Sequence, residues 1–337
     1  MSSSSSSSLI NILVHIEKQL TIFVYPLWLI FGITGCLLNL IIFSRPQLRT
    51  TSCSIYFFAA SVDHLMTLII GIGPTIYSLF YPDLQIQSLL FCKLRGYLFQ
   101  ICLMLSRWFI AFACIDRYVL TSDEVRLRNL ANRKIACRAL IFIIVVWFII
   151  CSHRLIFYEI KGTLCAIVNN MIAAVYHSIY VIIGGGICPT IIMILCASLI
   201  RRNLARKRER RTRFSLGDNQ RSSLDQQVLR ILFIQIISYV IFTIPQLCNL
   251  IFNTISITYR NRSNEHIVIE RFVAFIAEFM LYLFPVTSFY LYTLTSRTFR
   301  KELIQVIYSI GCRSFSIIPM SITDQRDDNQ KSVENRK

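Results

Sequence analysis

Residues 96–118 read GYLFQICLMLSRWFIAFACIDRY. From Gly96 to Ile115 the only charge is Arg107, and the run then ends in Asp116-Arg117-Tyr118. An apolar stretch of about 20 residues is enough to cross the hydrocarbon core of a bilayer as a helix. Its charged end therefore lies at one membrane boundary, and Cys92, 25 residues before Arg117, lies at the other. A cysteine on the oxidising side of a membrane sits where disulfides persist.

The same pattern recurs on both sides of this segment. Runs free of Asp, Glu, Lys and Arg cover 19–44, 139–153, 166–200 and 231–259, while 50–82 carries only Asp63 and 272–296 only Glu278. With the central run these make seven candidate spans in 337 residues, of which 16% are charged. A soluble domain of this size carries about 25%. Seven spans and their links use most of the chain, so the expectation is an all-α membrane protein, a seven-helix bundle with a short cytoplasmic surface helix near 297–311. Its membrane domain covers 20–312, after a Ser-rich extracellular segment 1–19 and before a disordered cytoplasmic tail 313–337. The tract Ser2–Ser8 lacks a basic n-region, so the first span is expected to serve as its own insertion signal. The 139–153 run is short, which places its helix start near Ile135 and leaves Arg154 to snorkel at the far end. The 166–200 run is long, and its first residues are expected in a loop.

Loop charge sets the orientation. Arg45 and Arg49, then Arg126, Arg128, Arg133, Lys134 and Arg138, then the dense cluster within 201–221, and finally Arg297, Arg300 and Lys301 all fall on one side. That side is expected to be cytoplasmic, with the amino terminus outside a plasma membrane. The net charge of +17 follows from this asymmetry. It reads as a collar facing lipid headgroups, and with no folded basic module visible no nucleic-acid partner is expected.

Other markers fall at matching places. Asn39 follows Gly35 in span one, Ala59, Ala60 and Asp63 lie in span two, and Trp147, Pro189 and Pro245 lie in spans four, five and six. Span seven ends Ser288-Phe289-Tyr290-Leu291-Tyr292, and Phe299-Arg300-Lys301-Glu302 follows. Together with the spacing from Cys92 to Arg117 these residues resemble the rhodopsin-like (class A) G-protein-coupled receptors, over about 20–312. Three departures stand in the activation relay of that family: Thr243 replaces a Trp, Ala197 a Tyr, and Ser288-Phe289 an Asn-Pro pair. Pro285 can supply the kink the last of these would give.

The resemblance implies roles. Asp116, Arg117, Tyr118 and Tyr292 would form the coupling switch, with Asp225 either clamping Arg117 at rest or standing solvated beside the basic loop. Cys92 and Cys165 would form a disulfide, and the remaining cysteines would pack, with Cys312 either palmitoylated or a spare thiol. Asp63 is an acid at membrane depth, where ionisable residues mark function. No cofactor is expected beyond a sodium ion that this site could take, with Ser106, Ser288 and Asn39 in the same polar set. Arg107, next to Ser106, offers two further arrangements: an ion pair with Asp63 that displaces sodium, or contacts to carbonyls, hydroxyls or water between spans three and five.

The ligand pocket would be lined by Phe99, Gln100, Leu103, His177, Gln246, Asn249, Glu278 and Tyr282. Phe99 stands where monoamine receptors carry Asp, and span seven has no Lys for a retinal Schiff base. Glu278 either receives a cationic ligand group or pairs with Arg271 or another arginine nearby. The resemblance extends to invertebrate neuropeptide receptors of the FMRFamide type, so an extracellular peptide is the expected ligand and a heterotrimeric G protein the expected partner. Serines such as Ser215, Ser222 and Ser332 would serve a receptor kinase and arrestin, and Asn261-Arg262-Ser263 is a glycosylation sequon. Three alternatives stay open. A transporter or channel would show repeats or rings of charge, and neither is visible. An enzyme would show a catalytic set, and none is found. A receptor that binds without coupling would explain the missing relay residues.

Overall fold

A computed structural model describes residues 2–49, 51–161, 164–167, 170–214, 219–256 and 264–315. Seven of its helices are long and apolar enough to cross a membrane: Ser8–Phe43, Ser52–Tyr77, Leu89–Thr121, Arg133–Phe157, Met171–Lys207, Leu229–Ile255 and Val268–Thr295. They are spans one to seven here. Polar side chains start several of them by accepting from backbone N–H groups that have no partner inside the helix. Ser88 caps span three through Phe91 N, Asn132 caps span four through Lys134 N, and Asn170 caps span five through Ala173 N. An antiparallel pair of strands, Glu159–Lys161 and Leu164–Ala166, joins spans four and five. The helix Arg297–Phe315 follows span seven.

Three boundaries differ from the sequence reading. The first helix runs from Ser2 to Phe43 without a break at residue 20, because nothing before Pro26 interrupts it and the 9–16 stretch is already rich in Leu, Ile and Val. Span four starts at Arg133, two residues before the expected Ile135, and continues into a short helix His153–Phe157. Arg154 does not snorkel. It is 8% exposed and turns inward, where its guanidinium finds acceptors that lipid lacks.

Span one packs on spans two and seven, span two on three, span three on five, and span six on seven. Gly32 and Gly35 permit the first of these contacts. A Cβ on Gly32 would meet the Leu68 side chain at 2.4 Å, and one on Gly35 would meet Phe289 Cβ at 3.0 Å. Large apolar side chains such as Ile149 and Ile172 stay exposed, 67% and 83%. In a soluble protein such faces would be a liability, but here they meet lipid.

Span five contains a π-helical stretch, Val181–Ile187, just ahead of Pro189. Such widened turns leave carbonyls off the regular ladder, and neighbouring spans use two of them. Trp108 Nε1 of span three donates to Gly184 O at 2.8 Å, and the Tyr239 hydroxyl of span six donates to Gly185 O. The three glycines make this stretch thin. Trp147 lies against Gly184, Arg107 and Met104 against Gly185, and Leu247 against Gly186.

Candidate functional site

The residues of interest fall at three depths, from the Cys92 end of the bundle to the Arg117 end. At the Cys92 end, Cys92 and Cys165 are joined as a disulfide that ties the strand pair to span three. Tyr282 is 1% exposed and donates to Glu278 Oε1 at 2.8 Å, one helical turn away on the same face. Around Tyr282 stand the rings of Tyr25 at 5.8 Å and Phe99 at 5.9 Å. Arg95 closes this side by donating to Ile70 O and Gly71 O, and both Arg95 and Glu278 lie within electrostatic reach of the Tyr282 hydroxyl. Glu278 is half-buried and makes no ion pair among the described residues. Arg271, the partner that would neutralise it, lies instead 3.9 Å from Glu17. Beside that pair opens a vestibule of about 530 Å³, walled by spans one, two and seven.

The eight expected pocket residues do not share one space. Phe99, Glu278 and Tyr282 gather against spans one and two, whereas His177 belongs to the seam of spans three, four and five. There Arg154 donates to Gly96 O and to His177 Nε2, and stacks over the Tyr158 ring at 4.7 Å. Because arginine only donates, His177 Nε2 accepts and Nδ1 holds the proton, which goes to the Tyr180 oxygen at 3.0 Å. His177 is therefore already engaged. Gln100 Nε2, Gln246 Oε1 and Asn249 Oδ1 are buried with no hydrogen-bond partner among the described residues, one donor and two acceptors. Leu103 lies deeper, on the wall of a central cavity.

That cavity measures about 20 Å³ and is lined by Ser106, Arg107, His64, Tyr239 and Thr243 among others. No ion pair joins Arg107 to Asp63 among the described residues, and Asp63 Oδ2 is buried without a hydrogen-bond partner. Arg107 instead lies between spans three, five and six, 5.9 Å from the Tyr239 ring centroid and against Gly185. Of the oxygens expected around sodium, Ser106 lines this cavity while Asp63, Asn39 and Ser288 do not. Ser106 Oγ is 3.0 Å from His64 Nε2, and Ser288 donates to Pro285 O at 3.0 Å. Asn39 is fully buried and both its amide atoms lack hydrogen-bond partners among the described residues. Asp63 itself lies beside Ser106, whose backbone N–H its carboxylate accepts.

At the Arg117 end, Ser52 donates to Asp116 Oδ2 at 2.8 Å, and Arg117 Nε lies 4.0 Å from the same oxygen. Both charges are nearly buried, 8% and 7% exposed, and Tyr118 beside them is half-buried. Lys207 donates to Thr121 O at 2.7 Å and so holds the extension of span five against the end of span three. Tyr292 is buried among Phe43, Phe57 and Phe299, which locks the surface helix to spans one, two and seven. The Asp225 and Cys312 side chains and the Asn261 sequon lie outside the described residues.

Sequence reasoning missed four participants: His64, Arg95, Arg154 as an inward group, and Ser52. His64 had a signal, since it is a second ionisable residue beside Asp63 at membrane depth. The others had none, because their partners are backbone carbonyls or lie on distant spans. No curated protein matches the chain significantly. Residues 35–290, well over half of it, match the family model described as 7 transmembrane receptor (rhodopsin family). With seven apolar helices, the Cys92–Cys165 bridge and Asp116-Arg117-Tyr118 at the opposite end, the chain belongs to the rhodopsin family of seven-transmembrane receptors.

Proposed function

We propose that this receptor binds an extracellular peptide through a cationic group of the ligand and activates a heterotrimeric G protein. The Cys92 end faces outward from a plasma membrane and the Arg117 end inward, as the loop arginines require. One observation carries the ligand reading: Glu278 is a half-buried acid that accepts a hydroxyl and makes no ion pair among the described residues. A lysine, arginine or amino terminus of a peptide would complete it with a charge-assisted hydrogen bond. Gln100, Gln246 and Asn249 have unpaired polar atoms suited to peptide amides. Similarity to FMRFamide-type receptors supports the same ligand class. Inside, Asp116 and Arg117 form the switch that a G-protein helix would meet.

The test is a panel of neuropeptides applied to cells expressing the receptor, with calcium and cyclic AMP as readouts. A peptide with a basic group is expected to activate, Glu278→Gln to lower its potency about tenfold or more, and Arg117→Ala to abolish the signal while peptide still binds. Currents that persist when G proteins are inactivated would instead identify a channel. Full potency at Glu278→Gln would remove Glu278 from the ligand site.

A further inference from the structure

Span three buries a guanidinium that none of the protein's described acids neutralises. Arg107 is 3% exposed, and no atom among the described residues hydrogen bonds its Nη1. The Tyr239 ring, 5.9 Å away, attracts the cation without cancelling its charge. Ions taken out of water need a counter-charge and satisfied hydrogen bonds. The wall that Arg107 shares with His64, Thr67, Ser106, Tyr239 and Thr243 holds one formal charge, which is positive, and no carboxylate. Thr67 and Tyr239 have committed their hydroxyl protons to Asp63 O and Gly185 O. His64 has not committed both ring nitrogens: Nε2 meets Ser106 Oγ, and Nδ1 is buried without a partner. With Ser106 donating to Nε2, Nδ1 carries the proton and becomes a second orphan donor.

The size of the space narrows what can occupy it. A volume of about 20 Å³ suits one water or one monatomic ion, and is too small for a carboxylate or phosphate. The geometry points to a binding site for a single halide ion, chloride in physiological media, held by Arg107 and His64 midway through the bundle. Thr243, on the cavity wall, stands where relatives carry a bulky Trp, and Gly185 leaves room for the guanidinium itself, since a Cβ there would lie 2.6 Å from Arg107 Nη1. The site requires neither the peptide ligand nor G-protein coupling.

The probe is chloride itself. Purified full-length receptor is heated in detergent with chloride replaced by gluconate at constant sodium and ionic strength. Chloride and bromide are expected to raise Tm by about 2 °C over gluconate, saturating with concentration. Arg107→Gln, which removes the charge, and Thr243→Trp, which fills the space, are each expected to abolish the difference. Equal Tm in chloride and gluconate for the wild type would mean that water alone occupies the cavity and would overturn the proposal. A difference that both variants retain would also overturn it. Should the variants not fold, crystals of the wild type grown in bromide decide: an anomalous peak between Arg107 and His64 is expected, and its absence is fatal.

Discussion

Two glycines of span two, two residues apart, provide an internal control on how tightly the Cys92 end is packed. A Cβ on Gly71 would lie 2.5 Å from the Tyr282 hydroxyl, 2.6 Å from Tyr282 Cε1 and 2.7 Å from Phe99 Cε2, while one on Gly73 would meet nothing within 4 Å, leaving aside its chain neighbours Ile72 and Pro74. To restore ordinary contact at 3.4 Å, the Tyr282 ring must retreat by about 0.9 Å. It has nowhere to go, since it is 1% exposed and wedged between Tyr25 and Phe99. Overpacking of this kind costs about 1–3 kcal/mol, and the hydrogen bond to Glu278 is strained as well. Replacing Gly by Ala in a helix interior returns about 1 kcal/mol. Gly71→Ala should therefore destabilise by up to about 2 kcal/mol, whereas Gly73→Ala should be near neutral, because a Cβ just before Pro74 offsets the helix-propensity gain. Thermal unfolding of the purified receptor should separate the two variants by about 2–4 °C. If Gly71→Ala unfolds at the same temperature as Gly73→Ala or above it, the described packing around Tyr282 is wrong.

Two further predictions concern the same end of the bundle. The Cys92–Cys165 bridge closes a sequence separation of 73, which corresponds to at most about 4 kcal/mol of loop entropy; Cys165→Ser should lower surface expression and Tm, and reduction of the wild type should mimic it. Wild-type Tm in the variant would show that the bridge has no stabilising role. Arg154→Met leaves Gly96 O and His177 Nε2 without their donor, at a cost of about 2–3 kcal/mol. Arg154→Lys should not rescue it, because an ammonium lacks the planar fork that reaches both acceptors; wild-type Tm in Arg154→Lys would contradict this.

The contrast between Asp63 and Arg107 shows where sequence reading ends. Both were identifiable as charges at membrane depth, and three arrangements between them stayed open. The structure leaves Arg107 against Gly185 and beside the Tyr239 ring. His177 shows the same limit: its depth was legible, but not that Arg154 already occupies its Nε2. The split of the eight pocket residues arises in the same way, since position along a helix carries no direction around its axis.

From its residues alone the chain declares a membrane bundle of seven helices, the loops that carry positive charge, and the depth of each polar group. Hydropathy and charge act along the chain and add residue by residue, so a linear reading captures them. Which polar group meets which was decided by the rotation of each helix about its axis and by the close approaches that Gly35, Gly71 and Gly185 permit. Those depend on side chains from distant segments filling one volume together, and no local sum along the sequence contains that information.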